Sequence, residues 1–433
     1  MSAHGGRTMP AVSDRPWSGR RLHVLGIGGA GMSAYALAAQ ALGAQVTGSD
    51  QADSSYAREV RAAGIPVAIG HDPGNLPPGA GVEVVASSAV PADNPELVAA
   101  RERGLPIRSR ADLLAQLTAL RRTIAVAGAH GKTTTSSMIA HVLLGCGLDP
   151  GYLIGGVLRT TGANGAWGTG EWLVVEADES DGSFLDLDVE LAVVTNVELD
   201  HHARWGSLEE LRAAFARFEA QAERVVVWEE PADVALADGG STFTWRGHAV
   251  RLAVPGLHNA RNAAAALEAA RLAGAGEAEA VAAIATFAGA GRRFERLGRT
   301  PAGALVVDDY AHHPTEVAAT IAAARTLGEP GRVVAVFQPH LYSRTRELAQ
   351  EFADALATAD RAAVLDVYPA RERAEDFPGV SGATIADRAP AHVTSTPAFA
   401  DVVATVAPDL RAGDVLLVMG AGDVYRLGRE LAG

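Results

Sequence analysis

Gly128-Ala129-His130-Gly131-Lys132-Thr133-Thr134 follows the apolar run TIAVA and opens a helical pattern. A glycine turn between a strand and a helix wraps phosphates with backbone N–H groups, and the helix N-terminus adds partial positive charge. In that setting Lys132 can reach β and γ phosphates, and the Thr133 hydroxyl can sit on Mg²⁺. The alternative, a chance glycine turn with a surface lysine, does not explain the strand–GKTT–helix order. The loop is shorter than the usual G-x-x-x-x-G-K-[ST] spacing, yet it points to an ATP-type triphosphate.

A second glycine turn lies about a hundred residues earlier. VLGIGGAGMS carries G-x-G-x-x-G from Gly26 to Gly31, and Asp50 closes the next strand-like run, VTGSD. Taken alone, this is a dinucleotide fingerprint with an acid for the ribose hydroxyls, and an NAD-dependent oxidoreductase would follow. That reading leaves the Lys132 loop without a purpose. The segment Gly28, Gly29, Ala30, Gly31, Met32 and Ser33 is read instead as a cradle for another diphosphate, with Asp50, His71, Ser87 and Ser88 as lining residues.

Acids end two further strand-like runs. VVEADESD places Glu176 at a strand end, and TNVELDHH places Glu198, Asp200 and His201 at another. Ligands of open α/β sheets bind outside the carboxyl ends of strands, so both clusters fall on the expected face. Mg²⁺ takes hard oxygen ligands, which suits Glu176; His201 is the weaker ligand on chemistry alone. Solvated loops and helix caps are the bland alternatives. Three later polar clusters also end strand-like or loop segments: GRRFE with Arg293, DDYAHHP with Asp309 and His312, and FQPHLYSR with Arg344. Arginine there suits bidentate carboxylate or phosphate binding.

The elements that must position these residues alternate strand and helix almost throughout the 433 residues, which implies parallel sheets. We expect an α/β protein of three α/β domains in series: N-terminal Rossmann-like, central P-loop ATPase-like with a parallel sheet, C-terminal Rossmann-like. The boundaries are a lead-in over 1–20, then 21–120, 121–297 and 298–433. A formal net charge of −14 argues against nucleic-acid and anionic-membrane partners. No run of 18 apolar residues occurs, and one cysteine, Cys146, permits no intrachain disulfide, so a cytoplasmic protein is expected. Cys146 reads as a small buried hydrophobe.

Together the motifs GIGGAGMS, GAHGKTTT, EADESD, TNVELDH, PGLHNARNAAAA, GRRFE, DDYAHHPTE, FQPHLYSRT, DVYPARE and GAGD resemble the Mur ligases, from Leu22 to about Asp423. The resemblance implies ATP-dependent joining of a carboxylate to an amine through an acyl phosphate. Within the family the pattern is most similar to the branch that adds L-alanine to UDP-N-acetylmuramate in peptidoglycan precursor synthesis. A branch that attaches a recycled murein tripeptide to the same sugar nucleotide is the alternative. The resemblance further implies that Lys132 and Thr133 hold the γ phosphate and Mg²⁺, and that Glu176 and His201 belong to the metal site. Asn259 and Asn262 then lie near adenine, Asp309 at the ATP ribose, and Arg293 in the phosphate region. His312 and Arg344 fall around the incoming amino acid and the muramoyl group. The 21–120 domain takes the UDP-sugar. Three places depart from the usual pattern: Ala129 stands where threonine is common, Leu341 where arginine is common, and HARWG after His201 lacks an acid often found there. Lys132 is the only lysine in the chain, so the carbamylated lysine used by some members has no counterpart. Oligomeric state is not legible.

Overall fold

The alternating pattern folds, in a computed structural model, into four sheets with helices on their faces. The structure describes residues 15–87, 89–199 and 204–433. Two expected site residues, Ser88 and His201, lie outside these ranges. The described residues group into two compact units: 15–228 with 265–280, and 229–264 with 281–433.

The first unit opens with β1 (Arg21–Leu25), β2 (Gln45–Asp50), β3 (Val67–Ile69), β4 (Val82–Ala86) and β5 (Ile107–Ser109). All pair in parallel, in the order β3-β2-β1-β4-β5. Order reverses beside β1, so the crevice for a ligand opens between the loops that follow β1 and β4. Local chemistry starts the helices. Ser54 accepts from the Ala57 N–H, Asn94 from those of Glu96 and Leu97, and Ser109 forms a reciprocal box with Asp112.

The same unit continues with β6 (Arg122–Ala127), β7 (Gly151–Leu158), β8 (Ala163–Ala166), β9 (Trp172–Glu176), β10 (Leu191–Val194) and β11 (Arg224–Val227). Their order is β11-β10-β6-β9-β7-β8, parallel except for the β7–β8 pair. The Lys132 loop follows β6, with the acidic runs after β9 and β10 on either side of it, as the strand-end rule requires. One continuous core joins the two sheets: Val24, Ala34 and Tyr35 share it with Ala125, Val175 and Phe215. The helix Ala30–Ala41 lies so close to β8 that a Cβ on Gly165 would stand 2.7 Å from Ala34. Asn164 seals this contact by donating to Ser33 Oγ (2.9 Å) and to the Ala30 carbonyl.

The second unit begins with a three-stranded antiparallel sheet that the motif reading did not include: β12 (Ala232–Ala237), β13 (Gly240–Trp245) and β14 (His248–Leu252). Its two hairpins turn on Asp238-Gly239 and Arg246-Gly247, all four residues at positive φ. That is the two-residue geometry matching strand twist, and D-G and R-G between β-rich runs were its signal. The last sheet holds β15 (Glu295–Arg299), β16 (Leu305–Asp309), β17 (Val333–Phe337), β18 (Arg361–Val364), β19 (Val393–Ser395) and β20 (Val415–Met419). It is ordered β15-β16-β20-β17-β18-β19, with only the β15–β16 pair antiparallel. Cores lie on both its faces. Among the described residues no helix is long and apolar enough to cross a membrane. Cys146 is half-buried at the end of the helix Lys132–Gly145, not fully buried as expected, and burial pushes its thiol pKa up.

Candidate functional site

At the carboxyl end of β6, Gly128 (φ 140°) and Gly131 (φ 83°) adopt conformations that favour glycine, and the helix Lys132–Gly145 starts there. The loop is clamped from β10. The Asn196 carbonyl accepts from the Ala129 N–H (3.1 Å), its Oδ1 accepts from the His130 N–H (3.0 Å), and its Nδ2 donates to the His130 carbonyl (2.9 Å). Thr195 Oγ1 donates to the same carbonyl at 2.6 Å. Sequence reasoning gave Asn196 no role, although its place one residue beyond a threonine at a strand end was visible.

Lys132 is half-buried beside its loop. Its Nζ donates to the Gly128 carbonyl (2.5 Å) and pairs with Glu179 (2.9 Å), a residue only 2% exposed. Burial would lower the Lys132 pKa, but the charges of Glu179 and then Asp178 raise it above the ordinary lysine value. Glu179 is thus a second site acid that the motif EADESD contained and the reading left unassigned. Asp178 in turn pairs with Arg110 (3.1 Å). Burial would push this carboxyl up, but Lys132 and Arg110 hold it well below the carboxylate range.

Glu176 ends β9 beside the loop. Its Oε1 accepts from the Gly155 N–H (2.6 Å) and its Oε2 from Thr133 Oγ1 (3.2 Å). A Cβ on Gly155 would stand 2.9 Å from Oε2, so glycine there makes room for the carboxylate. A hydroxyl and a carboxylate oxygen this close, at a helix N-terminus, form the hard-oxygen donor set that Mg²⁺ uses. The expected third ligand, His201, lies outside the described residues.

The first glycine loop is held from β2. Ser49 O accepts from Gly26 N (2.9 Å) and Ile27 N (3.1 Å), while Asp50 Oδ2 accepts from Gly28 N (2.8 Å). Asp50, expected among the lining residues, fastens the loop with one of its oxygens. Gly28 is required, because a Cβ would stand 2.7 Å from Ser54 Oγ. Met32 and Ser33 are buried, so their segment offers a ligand backbone N–H groups rather than side chains. Gly29 caps the helix Ala30–Ala41 ahead of Ala30 and Gly31. Ser87, after β4, packs against Gly26, where a Cβ would meet Ser87 Cβ at 3.2 Å. His71 is held by Nδ1 between Ser49 Oγ and Glu96 Oε1, both at 3.1 Å.

Glu96 was not singled out in the sequence, yet its carboxylate is fully buried and accepts from His23, Ser49, His71, Asn75 and the Asp72 N–H. Burial would raise its pKa, but the bonds from His23, Asn75, Ser49 and His71 pull it down to about 2. A carboxyl with a depressed native pKa stabilises the fold above its unfolded value, and that contribution is lost as pH falls through the native value. Urea denaturation is therefore expected to show on the order of 3 kcal/mol lost through this group between the ordinary glutamate pKa and about 2. Glu96→Gln should flatten that part of the profile; an unchanged acid slope would reject the assignment.

In the second unit GRRFE leads into β15, antiparallel to β16, while DDYAHHP follows β16 and FQPHLYSR follows β17. Arg292 donates to Asp308 (3.2 Å) and to the Gly420 (2.7 Å) and Gly422 (3.3 Å) carbonyls beyond β20. Arg293 lies over the Tyr310 ring (4.9 Å) and 3.8 Å from Glu316. Asp309 is buried, and its oxygens accept from the Phe294 N–H (2.7 Å) and the Ala311 N–H (2.8 Å). Burial pushes its pKa up to about 6, against the pull of Arg293 and these two N–H groups. His312 packs edge-on to Tyr310 and His340, with Nδ1 3.2 Å from Glu316. Arg344 is buried in a helix, Tyr342–Glu347, entered through Leu341 at φ 72°, a costly conformation for leucine. Asn259 and Asn262 are buried at the start of the helix Leu257–Leu272; Asn259 Nδ2 donates to the Pro255 carbonyl (2.7 Å) and Asn262 Nδ2 to Asn259 Oδ1 (3.2 Å).

Three family models match the chain: "Mur ligase family, catalytic domain" over 21–122, "Mur ligase middle domain" over 126–236, and "Mur ligase, glutamate ligase domain" over 292–422. The chain belongs to the Mur ligase family. It is therefore an ATP-dependent ligase, and the nicotinamide reading of the first glycine loop falls. Among Mur ligases, the chain is 45% identical to the UDP-N-acetylmuramate–L-alanine ligase of Mycolicibacterium smegmatis, over 95% of this chain and 94% of that one. It is also 45% identical to the enzyme of the same name from Paenarthrobacter aurescens, over 94% and 95%. The crystal structure of the UDP-N-acetylmuramate–alanine ligase of Thermotoga maritima superposes with a TM-score of 0.81 at 28% identity, covering 95% of this chain and 98% of that one. A murein peptide ligase from Psychrobacter arcticus shares the fold, with a TM-score of 0.69 at 24% identity.

Proposed function

We propose that this Mur ligase joins L-alanine to the carboxylate of UDP-N-acetylmuramate, converting ATP to ADP and phosphate. The observation that carries the ATP half is the Lys132 loop with the Thr133–Glu176 oxygen pair beside it. The substrate pair rests on the likeness to relatives of that name across nearly the whole chain.

A carboxylate is a poor acyl donor because its leaving group would be an oxide. In the proposed course a muramoyl carboxylate oxygen attacks the γ phosphorus. The bond from that phosphorus to the bridging oxygen breaks, and ADP departs. The amine of L-alanine, after losing its extra proton to solvent, attacks the carbonyl carbon of the acyl phosphate. The tetrahedral intermediate expels phosphate and loses a second proton, leaving the amide. The protein's task is positioning and charge neutralisation. Lys132 and the N–H groups of residues 128–134 hold the phosphates. Thr133 and Glu176, with His201, would hold Mg²⁺, which would supply neutralisation of phosphate charge. Arg293 meets charge developing on the transferred group, and His312 and Arg344 hold the amino acid and the muramoyl group. Asn259, Asn262 and Asp309 border the adenosine; their inward hydrogen bonds favour a role in shaping that pocket. The 21–120 region takes the UDP portion through the helix at Ala30 and through Ser87, Ser88 and His71. The single cysteine supports a cytoplasmic setting.

Phosphate release with UDP-N-acetylmuramate, ATP and Mg²⁺ is expected to require L-alanine. Release with glycine or serine but not L-alanine would refute the acceptor. Release only with a murein tripeptide would move the enzyme to the recycling branch.

A further inference from the structure

The buried network around Glu96 is larger than packing needs. Four side chains, from β1, β2 and the stretch after β3, converge on one carboxylate that is fully shielded from water. Ser49 links the network to the first glycine loop, since its carbonyl carries the N–H groups of Gly26 and Ile27. His71 follows β3, and its side chain is 10% exposed.

The proton count decides the state of His71. Ser49 Oγ has one proton and donates it to Glu96 Oε2 at 3.0 Å. His71 Nδ1 faces Ser49 Oγ and Glu96 Oε1, and both can only accept from it. Nδ1 therefore carries the hydrogen. Nε2 takes part in none of these bonds, and in the neutral ring it is the nitrogen that can accept. We propose that Glu96 is a positioning residue of the UDP-sugar site: it holds His71 as the Nδ1–H tautomer, so that Nε2 accepts a hydrogen bond from the nucleoside. This rests on the reading of the first unit as the UDP-binding part. A diphosphate has no proton to give at neutral pH, so the partner is a ribose hydroxyl or the uracil imide N–H. Position agrees, because β3 lies two strands from β1, roughly 10 Å from the diphosphate loop and within a nucleoside's reach.

The test uses the full chain, with UDP as the calorimetric probe. Glu96→Gln and His71→Ala should each weaken UDP binding about tenfold, the cost of one misplaced hydrogen bond. Both should raise KM for UDP-N-acetylmuramate while leaving KM for ATP and kcat unchanged. The wild type should discriminate against either 2′-deoxy-UDP or N3-methyl-UDP, and His71→Ala should lose that discrimination. Nitrogen-15 imidazole spectra of the wild type should show the Nδ1–H tautomer at neutral pH, a readout that does not depend on any variant folding. An Nε2–H or doubly protonated ring would overturn the proposal, as would unchanged UDP affinity in a folded Glu96→Gln. No UDP binding by the wild type would instead remove the UDP reading of the first unit, and the proposal with it.

Discussion

Lys132→Ala is expected to lower ATP-dependent phosphate release by roughly a thousandfold, to near the limit of detection. Lys132 is the only lysine in the chain, so no neighbouring ammonium can substitute. Its Nζ is already gathered onto the loop by the Gly128 carbonyl and Glu179. A phosphate arriving there would therefore compete with Glu179 for the same ammonium. Removing the lysine also takes the Lys132 ammonium away from the buried Glu179 carboxylate, which lowers stability as well. Lost activity and lost fold must therefore be separated. The double variant Lys132→Ala/Glu179→Gln removes that carboxylate charge too. It should recover thermal stability toward the wild type while remaining inactive. Near-full activity in either variant would remove the phosphate loop from the mechanism.

Glu176→Gln is expected to reduce turnover by about a hundredfold or more and to raise the Mg²⁺ concentration needed for half-maximal rate. The amide keeps the shape of the carboxylate and can still accept from the Gly155 N–H. What it lacks is the negative charge that a hard cation requires. A structural role alone would predict reduced thermal stability with an unaltered Mg²⁺ dependence, and that outcome would sink the assignment. Gly155→Ala gives an independent check. Its Cβ would stand 2.9 Å from Glu176 Oε2, so it should disturb the same Mg²⁺ dependence without changing any charge.

Much of the site was legible because its logic is local. A glycine turn between a strand and a helix needs only a few consecutive residues, and both loops at Gly26–Gly31 and Gly128–Lys132 were read that way. Strand-end position is also local, which is why Glu176, Asp309 and His312 could be placed at or just beyond strand ends from the sequence. The β12–β14 sheet was missed for a different reason. Its hairpin signals, D-G and R-G, were present, but no chemistry-bearing residue drew attention to them.

What a one-dimensional pattern determines here is the kind of group each segment offers: N–H groups at two helix starts, carboxylates and arginines at strand ends. It does not determine where each group's hydrogen bonds go. Asp50 fastens Gly28 across 22 residues, Asn196 clamps His130 across 66, and Asn164 reaches Ser33 across 131. Glu96 collects His23 from 73 positions away. Those partners are chosen by which strands lie side by side and which groups burial deprives of water. A buried acceptor must find a donor wherever the packed chain supplies one. That choice belongs to the folded chain as a whole, and it made Asp50 a fastener of its loop and set Glu179 and Asn196 against the Lys132 loop and Glu96 against His71.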